Sequence, residues 1–336
     1  MSLPFEINDA PDGVNKEMWA SFEGIKDKYV HVGPQKYLLC PPYRDIAAGI
    51  YNLELRPDDV WVVTFPRSGT TLTQELVWLI NNDYDYERAK SIKLRDRFPY
   101  IEFSMLMPSY YREEVIKQNQ MSKEQEEAFR NEGKPTYEKV QKMFSPRHIK
   151  THLPFSLLPP KLLDTSKVIY VARNPKDVAV SYYHQNTSLM YIGFEGDLPK
   201  YWDHFQNDLV YYAPYWSHLE EGWEMRDHPN MLFLFYEDLI KDMPSVLRKV
   251  AKFLNKSIDE INIAKMLDHL KIDNFRKNPS MKDSKSLKGV TDHTKPGFFR
   301  QGKCGEWRKD FTPEMNAKAD EWIKAHEQNT DLRFQY

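Results

Sequence analysis

A lysine and a histidine two residues apart, in Ile149-Lys-Thr-His-Leu-Pro154, offer the simplest chemistry in the sequence. On a strand, Lys150 and His152 project to the same face, because side chains alternate with period two. A positive charge then stands beside a base that titrates near neutrality. That pairing suits activation of a hydroxyl and stabilisation of developing negative charge. A histidine on its own is more often structural, and it is the neighbouring lysine that favours catalysis.

Three further stretches suit anions. In Val60-Trp-Val-Val-Thr-Phe-Pro-Arg-Ser-Gly-Thr-Thr71 an apolar run passes through a Pro/Gly turn directly into helical periodicity at Leu72, Leu76, Leu79 and Ile80. Gly69 would let backbone N–H groups approach a phosphate, Arg67 adds charge, and Thr70 and Thr71 fall in the first helical turn with hydroxyls free for a ligand. The spelling departs from Gly-x-x-x-x-Gly-Lys-Ser/Thr, since no glycine stands five residues before Gly69 and arginine replaces the usual lysine. Taken alone, it fits an ordinary βα junction as well as a phosphate cradle. Lys167-Val-Ile-Tyr-Val-Ala-Arg-Asn-Pro-Lys-Asp177 ends a buried strand at Arg173 and leads to a helix carrying Ser181. Ligands of open α/β sheets sit where strands end, although each of these two residues singly reads as ordinary surface. Phe298-Phe-Arg-Gln-Gly-Lys-Cys-Gly-Glu-Trp-Arg308 interleaves glycines with cations, as a nest around an anion would.

These segments need strands and helices to bring them together. Apolar runs predict strands over 60–65, 148–152, 167–172 and 231–236, and helical spacing predicts helices over 70–80, 177–183, 203–225, 244–254, 258–270 and 313–326. The alternation points to one α/β domain with a central parallel sheet flanked by helices. Residues 1–45 read as an N-terminal extension packing on a domain over 46–336. From about 105 to 144 the sequence turns polar, as a solvated surface excursion or a lid. Met105, Leu106, Met107, Tyr110 and Tyr111 at its start are candidates to face a hydrophobic ligand.

Composition narrows the function. With 47 Lys and Arg against 49 Asp and Glu, the chain lacks the bulk charge of a nucleic-acid binder, so an anion site must be local. Two cysteines make neither a disulfide framework nor a Cys-rich zinc site, and nothing in the sequence marks another metal site. The early acids Glu6, Asp9 and Asp12 do not read as a secretory leader, and the longest apolar runs are too short for a bilayer. A cytoplasmic protein without membrane partners is expected.

Together these residues closely resemble the cytosolic sulfotransferase family, which moves a sulfuryl group from 3′-phosphoadenosine-5′-phosphosulfate (PAPS) to a hydroxyl or amine. The resemblance runs in family order through Arg56-Pro-Asp-Asp59, Phe65-Pro-Arg-Ser-Gly-Thr-Thr71, Lys150-Thr-His152, the run from Tyr170 to Tyr183, Phe235-Tyr-Glu-Asp238 and Arg300-x-Gly-x-x-Gly-x-Trp307. It implies a P-loop-like fold in which Arg67, Ser68, Gly69, Thr70 and Thr71 hold the 5′-phosphosulfate. Arg173, Ser181, Phe299, Arg300, Gln301 and Gly302 would surround the 3′-phosphate. Leu72, Tyr236 and Phe275 would lie near the adenine. His152 would be the base, with Lys150 and Arg67 beside the transferring group and 3′,5′-adenosine bisphosphate (PAP) as product. For the small-molecule acceptor the candidates are Phe98, Phe103, Met105, Phe155, Tyr183 and Tyr191.

The chain departs from the family pattern at four places. Arg67 stands in place of a lysine, Leu72 in place of a tryptophan that stacks on adenine, and Gln301 in place of a lysine. The family's usual dimer motif is not intact around Lys285 to Thr294. The arginine-bearing loop, Thr73-Gln-Glu-Leu-Val-Trp-Leu-Ile80 and the insertion also resemble the arthropod branch that includes a retinol dehydratase. Three functions follow as expectations: sulfation of a phenol or hydroxylated hydrophobic compound, elimination from an allylic alcohol through its sulfate, and nucleotide binding without turnover.

Overall fold

The computed structural model describes residues 3–281, 287–295 and 302–334. Three short strands, β1 (Ile7–Asp9), β2 (Val30–Val32) and β3 (Tyr37–Leu39), pair antiparallel near the N-terminus. The central sheet contains β4 (Val60–Val63), β5 (His148–Thr151), β6 (Lys167–Ala172) and β7 (Met231–Phe235), all parallel, in the order β5-β4-β6-β7.

Period two separates the sheet's faces. Trp61, Val63, Val168, Tyr170 and Ala172 enter one apolar layer, while Val60, Val62, Ile169 and Val171 enter the other. Helices cover both faces, which is why these strands are continuously apolar rather than alternating. Register then determines where the chemistry gathers. Val63 pairs with Thr151 on one side and with Tyr170 on the other, so the segments after β4, β5 and β6 leave from one edge of the sheet. At the opposite end, a buried ion pair between Arg147 and Asp59, 2.5 Å apart, ties the start of β5 to the approach to β4.

The expected helices after β4 and β6 form as Thr70–Asn81 and Pro175–Ser188. Asn174 caps the second, its side chain accepting the Lys176 N–H at 3.0 Å, with Pro175 in the first turn. Met243–Phe253, Glu260–His269 and Pro313–Glu327 match expectation within a few residues. The single helix expected over 203–225 is instead two, Leu198–Gln206 and Tyr215–Glu224. Pro214 supplies no N–H and restricts Ala213, so helix cannot run through the junction. In the intervening loop Asp208 and Tyr212 take φ of 60° and 68°. That loop is fastened to β3, because Leu38 N–H donates to Ala213 O and Tyr212 N–H to Leu38 O at 2.8 and 2.9 Å.

The polar insertion forms three helices, Ser109–Asn119, Lys123–Asn131 and Thr136–Lys142, the second opened by a Ser122/Gln125 capping box. Its first residues mostly do not face a ligand. Met105 and Met107 are buried in the core, and the Tyr110 and Tyr111 hydroxyls bond Lys26 N–H and Gly289 O. Their apolar surface is used in attaching the insertion, and of these five residues only Leu106 lines the cavity described below. Among the described residues no helix is long and apolar enough to cross a membrane.

Candidate active site

His152 follows β5 directly and is 8% exposed. Its Nδ1 lies 2.8 Å from the Thr64 carbonyl, which can only accept, so the proton sits on Nδ1 and Nε2 keeps its lone pair. Burial, reinforced by the Lys150 charge, holds the imidazole well below its ordinary pKa, against the opposing hydrogen bond to Thr64. It is therefore neutral at physiological pH, with the Nε2 lone pair left to accept a proton. Lys150 Nζ lies 4.1 Å from the centroid of the Tyr100 ring, and burial draws its pKa down to about 8, with Glu102 opposing and Arg67 adding to the fall.

The strand end is held from behind by Glu102, a fully buried carboxylate accepting His152 N–H at 2.6 Å and the Thr151 hydroxyl at 2.8 Å. Burial raises its pKa to about 7 despite these donors. On another side His218 Nε2 donates to the His152 carbonyl at 2.9 Å, while its Nδ1 accepts from the Tyr170 hydroxyl at 2.7 Å. Tyr100 and Tyr212 flank the imidazole with ring centroids 5.2 and 5.7 Å away, and their hydroxyls bond each other.

In the turn after β4, Gly69 adopts φ 99° just before the helix begins. A Cβ there would lie 2.4 Å from the Tyr236 ring, so both conformation and space require glycine. The Ser68 hydroxyl is buried without a hydrogen-bond partner. Thr70 differs from expectation, its hydroxyl being 2.7 Å from that of Thr64 rather than left for a ligand. Arg67, also at positive φ (69°), donates from Nε to Ser181 Oγ at 3.0 Å, so one guanidinium joins the turn to the helix after β6.

Arg173 lies beside it. One guanidinium nitrogen donates to the Arg67 carbonyl at 2.9 Å and another to Lys303 O at 3.2 Å, while Nε is buried and unpartnered. The guanidinium carbon stands 4.3 Å from the Tyr236 ring centroid. The C-terminal loop is secured by Asp177, which accepts Gly305 N–H at 2.7 Å and Trp307 N–H at 3.4 Å. Thus residues more than 200 positions apart share one concave, cationic surface.

A cavity of ≈ 1290 Å³ joins these groups. Arg67, Gly69, Thr70, Thr71, Leu72, Lys150, His152, Arg173, Ser181, Tyr236, Phe275 and Gly302 all border it, as do the acceptor candidates Phe98, Phe103 and Tyr191. Ser68 lies beneath the surface. Phe299, Arg300 and Gln301 lie outside the described residues, as does part of the 285–294 stretch. Three acceptor candidates lie elsewhere. Met105 packs in the core, and Phe155 stacks on Tyr170 beside the sheet. Tyr183 meets Phe194 and Tyr201, because Ser181, Gln185 and Ser188 form the cavity-facing stripe of their helix and a residue two after Ser181 points away from it.

Sequence reasoning missed Glu102, Tyr100 and Tyr212. An acid within the otherwise apolar Phe98-Pro-Tyr-Ile-Glu-Phe103 was a usable signal for Glu102. Tyr212 was hidden inside the helix expected across Pro214.

Residues 57–331 match the family model described as Sulfotransferase domain. Luciferin sulfotransferase of Photinus pyralis is 33% identical over 310 residues, covering 89% of this chain and 79% of the relative. Sulfotransferase 1C2 of Homo sapiens is 32% identical over 298 residues, covering 88% and 92%. A solved structure of retinol dehydratase in complex with androsterone and inactive cofactor PAP has a TM-score of 0.92 and 36% identity, over 100% of this chain and 99% of that one. Another, in a complex with retinol and PAP, gives 0.91 and 36%, over 99% and 100%.

Proposed function

The chain belongs to the sulfotransferase family, a PAPS-dependent transferase family, and on that premise we propose that His152 takes the proton of a hydroxylated hydrophobic acceptor while the turn after β4 holds the donor's phosphosulfate. The observation carrying this reading is the bond from His152 Nδ1 to Thr64 O, which leaves the Nε2 lone pair to accept on a residue that borders the cavity. The buried, unpartnered Ser68 hydroxyl and Arg173 Nε fit an anionic donor, since such groups are costly unless a ligand satisfies them. Arg67 to Thr71 receive the 5′ side, and Arg173, Ser181 and Gly302 the 3′-phosphate, with Phe299, Arg300 and Gln301 assigned there by resemblance. Leu72, Tyr236 and Phe275 flank the adenine.

In the transfer the acceptor O–H bond breaks as its oxygen bonds to sulfur, and the proton passes to His152 Nε2. The sulfur–oxygen bond to the donor phosphate breaks, and PAP leaves with that electron pair. Negative charge growing on the bridging and sulfuryl oxygens is met by Arg67 and Lys150. Arginine keeps its proton, whereas Lys150, with pKa about 8, can exchange one with the leaving oxygen.

A second reading, elimination from a retinol-like allylic alcohol after sulfation, is supported by the whole-chain likeness to retinol dehydratase. Incubation with ³⁵S-labelled PAPS and a panel of phenols, steroids and retinol, followed by chromatography of every product, separates the readings. A stable labelled conjugate is expected; free labelled sulfate accompanied by a dehydrated polyene would establish the second reading. Donor binding without consumption across the panel would contradict both.

A further inference from the structure

Residues 99–102 run beside β5 as a short parallel partner. Lys150 N–H donates to Pro99 O at 2.8 Å and Ile101 N–H donates to Lys150 O at 3.0 Å, which pairs Tyr100 with Lys150. The Lys150 ammonium stands over the Tyr100 ring, and Lys150 borders the cavity. The same segment then carries Glu102 into complete burial behind the strand end.

A carboxylate is an expensive group to bury there if it serves only as a hydrogen-bonding bracket, since a neutral glutamine has the same shape and also offers an acceptor oxygen. The hydrogen bonds point to the ionised form. Thr151 Oγ1 accepts Leu153 N–H at 3.0 Å and so directs its own proton to Glu102, while the second carboxylate oxygen accepts His152 N–H. Lys150 and Glu102 act on each other: the Glu102 charge opposes the fall in the Lys150 pKa that burial causes, and the Lys150 charge favours ionised Glu102. Arg67 acts on Lys150 in the opposite sense, and His152 is neutral. Tyr43, Tyr100 and Tyr212 also face the carboxylate, and burial raises their pKa values, so they stay neutral.

We propose that Glu102 is a positioning residue for sulfuryl transfer, the buried counter-charge of the Lys150 ammonium as well as the bracket that holds the His152 backbone. The proposal rests on the reading of Lys150 as a cation beside the transferring group. The charge needed in the transition state is thereby kept on Lys150 in a site that would otherwise strip it of its proton.

The test compares the full-length protein with Glu102→Gln, which removes the charge in the same shape, and Glu102→Asp, which keeps the charge on a shorter arm. Lys150 is titrated in the protein–PAP complex by NMR of ¹³C-labelled lysine, its resonance assigned with Lys150→Met. In parallel, kcat is followed against pH with ³⁵S-PAPS and dehydroepiandrosterone, an alcohol that does not itself titrate in this range. Glu102→Gln should move the Lys150 titration and the alkaline limb of kcat about one pH unit lower while PAP affinity holds, and Glu102→Asp should move both less. In a Lys150→Met background Glu102→Gln should add no further loss. An unmoved Lys150 titration in Glu102→Gln, or a kcat lowered equally at every pH, would overturn the proposal and leave Glu102 a structural bracket. If Glu102→Gln does not fold, the unaltered protein decides: its Lys150 resonance should follow two coupled ionisations, and a single-step curve would overturn the proposal. A moved Lys150 titration with an unmoved rate profile, or with no turnover, would support the counter-charge and count instead against the catalytic reading of Lys150.

Discussion

The two sides of the cavity are built on different principles. Where donor and base are expected, the lining sits on the ends of β4, β5 and β6 and is fixed by buried contacts such as Thr64 with His152, Glu102 with the His152 backbone, and Arg173 with the Arg67 carbonyl. Where the insertion closes the cavity, the contacts are ion pairs between half-exposed side chains, Lys139 with Asp96 and Arg95 with Glu132. Buried polar groups are expensive to leave unpaired, whereas exposed pairs contribute little and re-form easily. The sheet side is thus held rigidly, and the insertion side is free to vary without disturbing it.

Substitutions on each side test that contrast. The largest effect is expected from His152→Ala, which removes the proposed base and should lower the transfer rate by about 10²–10⁴-fold while PAP affinity, measured calorimetrically, changes little. Equal loss of transfer and PAP binding would show instead that the imidazole is structural. Arg173→Ala should act on binding, weakening PAP roughly 10–100-fold, the worth of a charge-assisted contact to phosphate. An unchanged Kd would remove Arg173 from the donor site. The smallest effect is expected on the insertion, where Lys139→Ala should lower Tm by less than about 3 °C and leave PAP affinity intact. A larger fall in both would mean that the insertion is integral to the donor site, and the contrast between the two sides would fail.

Much of the sheet side was legible in the sequence because local pattern and tertiary environment agree there. Continuous apolar runs became parallel strands, and the glycine that ends the turn after β4 occupies the left-handed conformation that only glycine adopts readily. Legibility failed where a residue's role depends on contacts distant in sequence. Tyr212 reaches the imidazole because β3, some 170 residues earlier, holds its loop in place. Glu102 matters through a backbone N–H 50 residues away, and no periodicity records such a bond. The acceptor candidates divided for the same reason. Phe103 and Met105 lie in one short helical turn, yet one borders the cavity and the other fills the core.

Thr64 gives the fold one more consequence. Its carbonyl orients the His152 imidazole and its hydroxyl meets Thr70 at the head of the helix after β4, so the proposed base and the proposed donor cradle are both positioned from one residue. The wall that the insertion gives the cavity can therefore be lengthened or recharged without changing the spacing between the proposed base and the proposed cradle. A change of substrate and a loss of the proposed reaction would then call for substitutions in different parts of the chain.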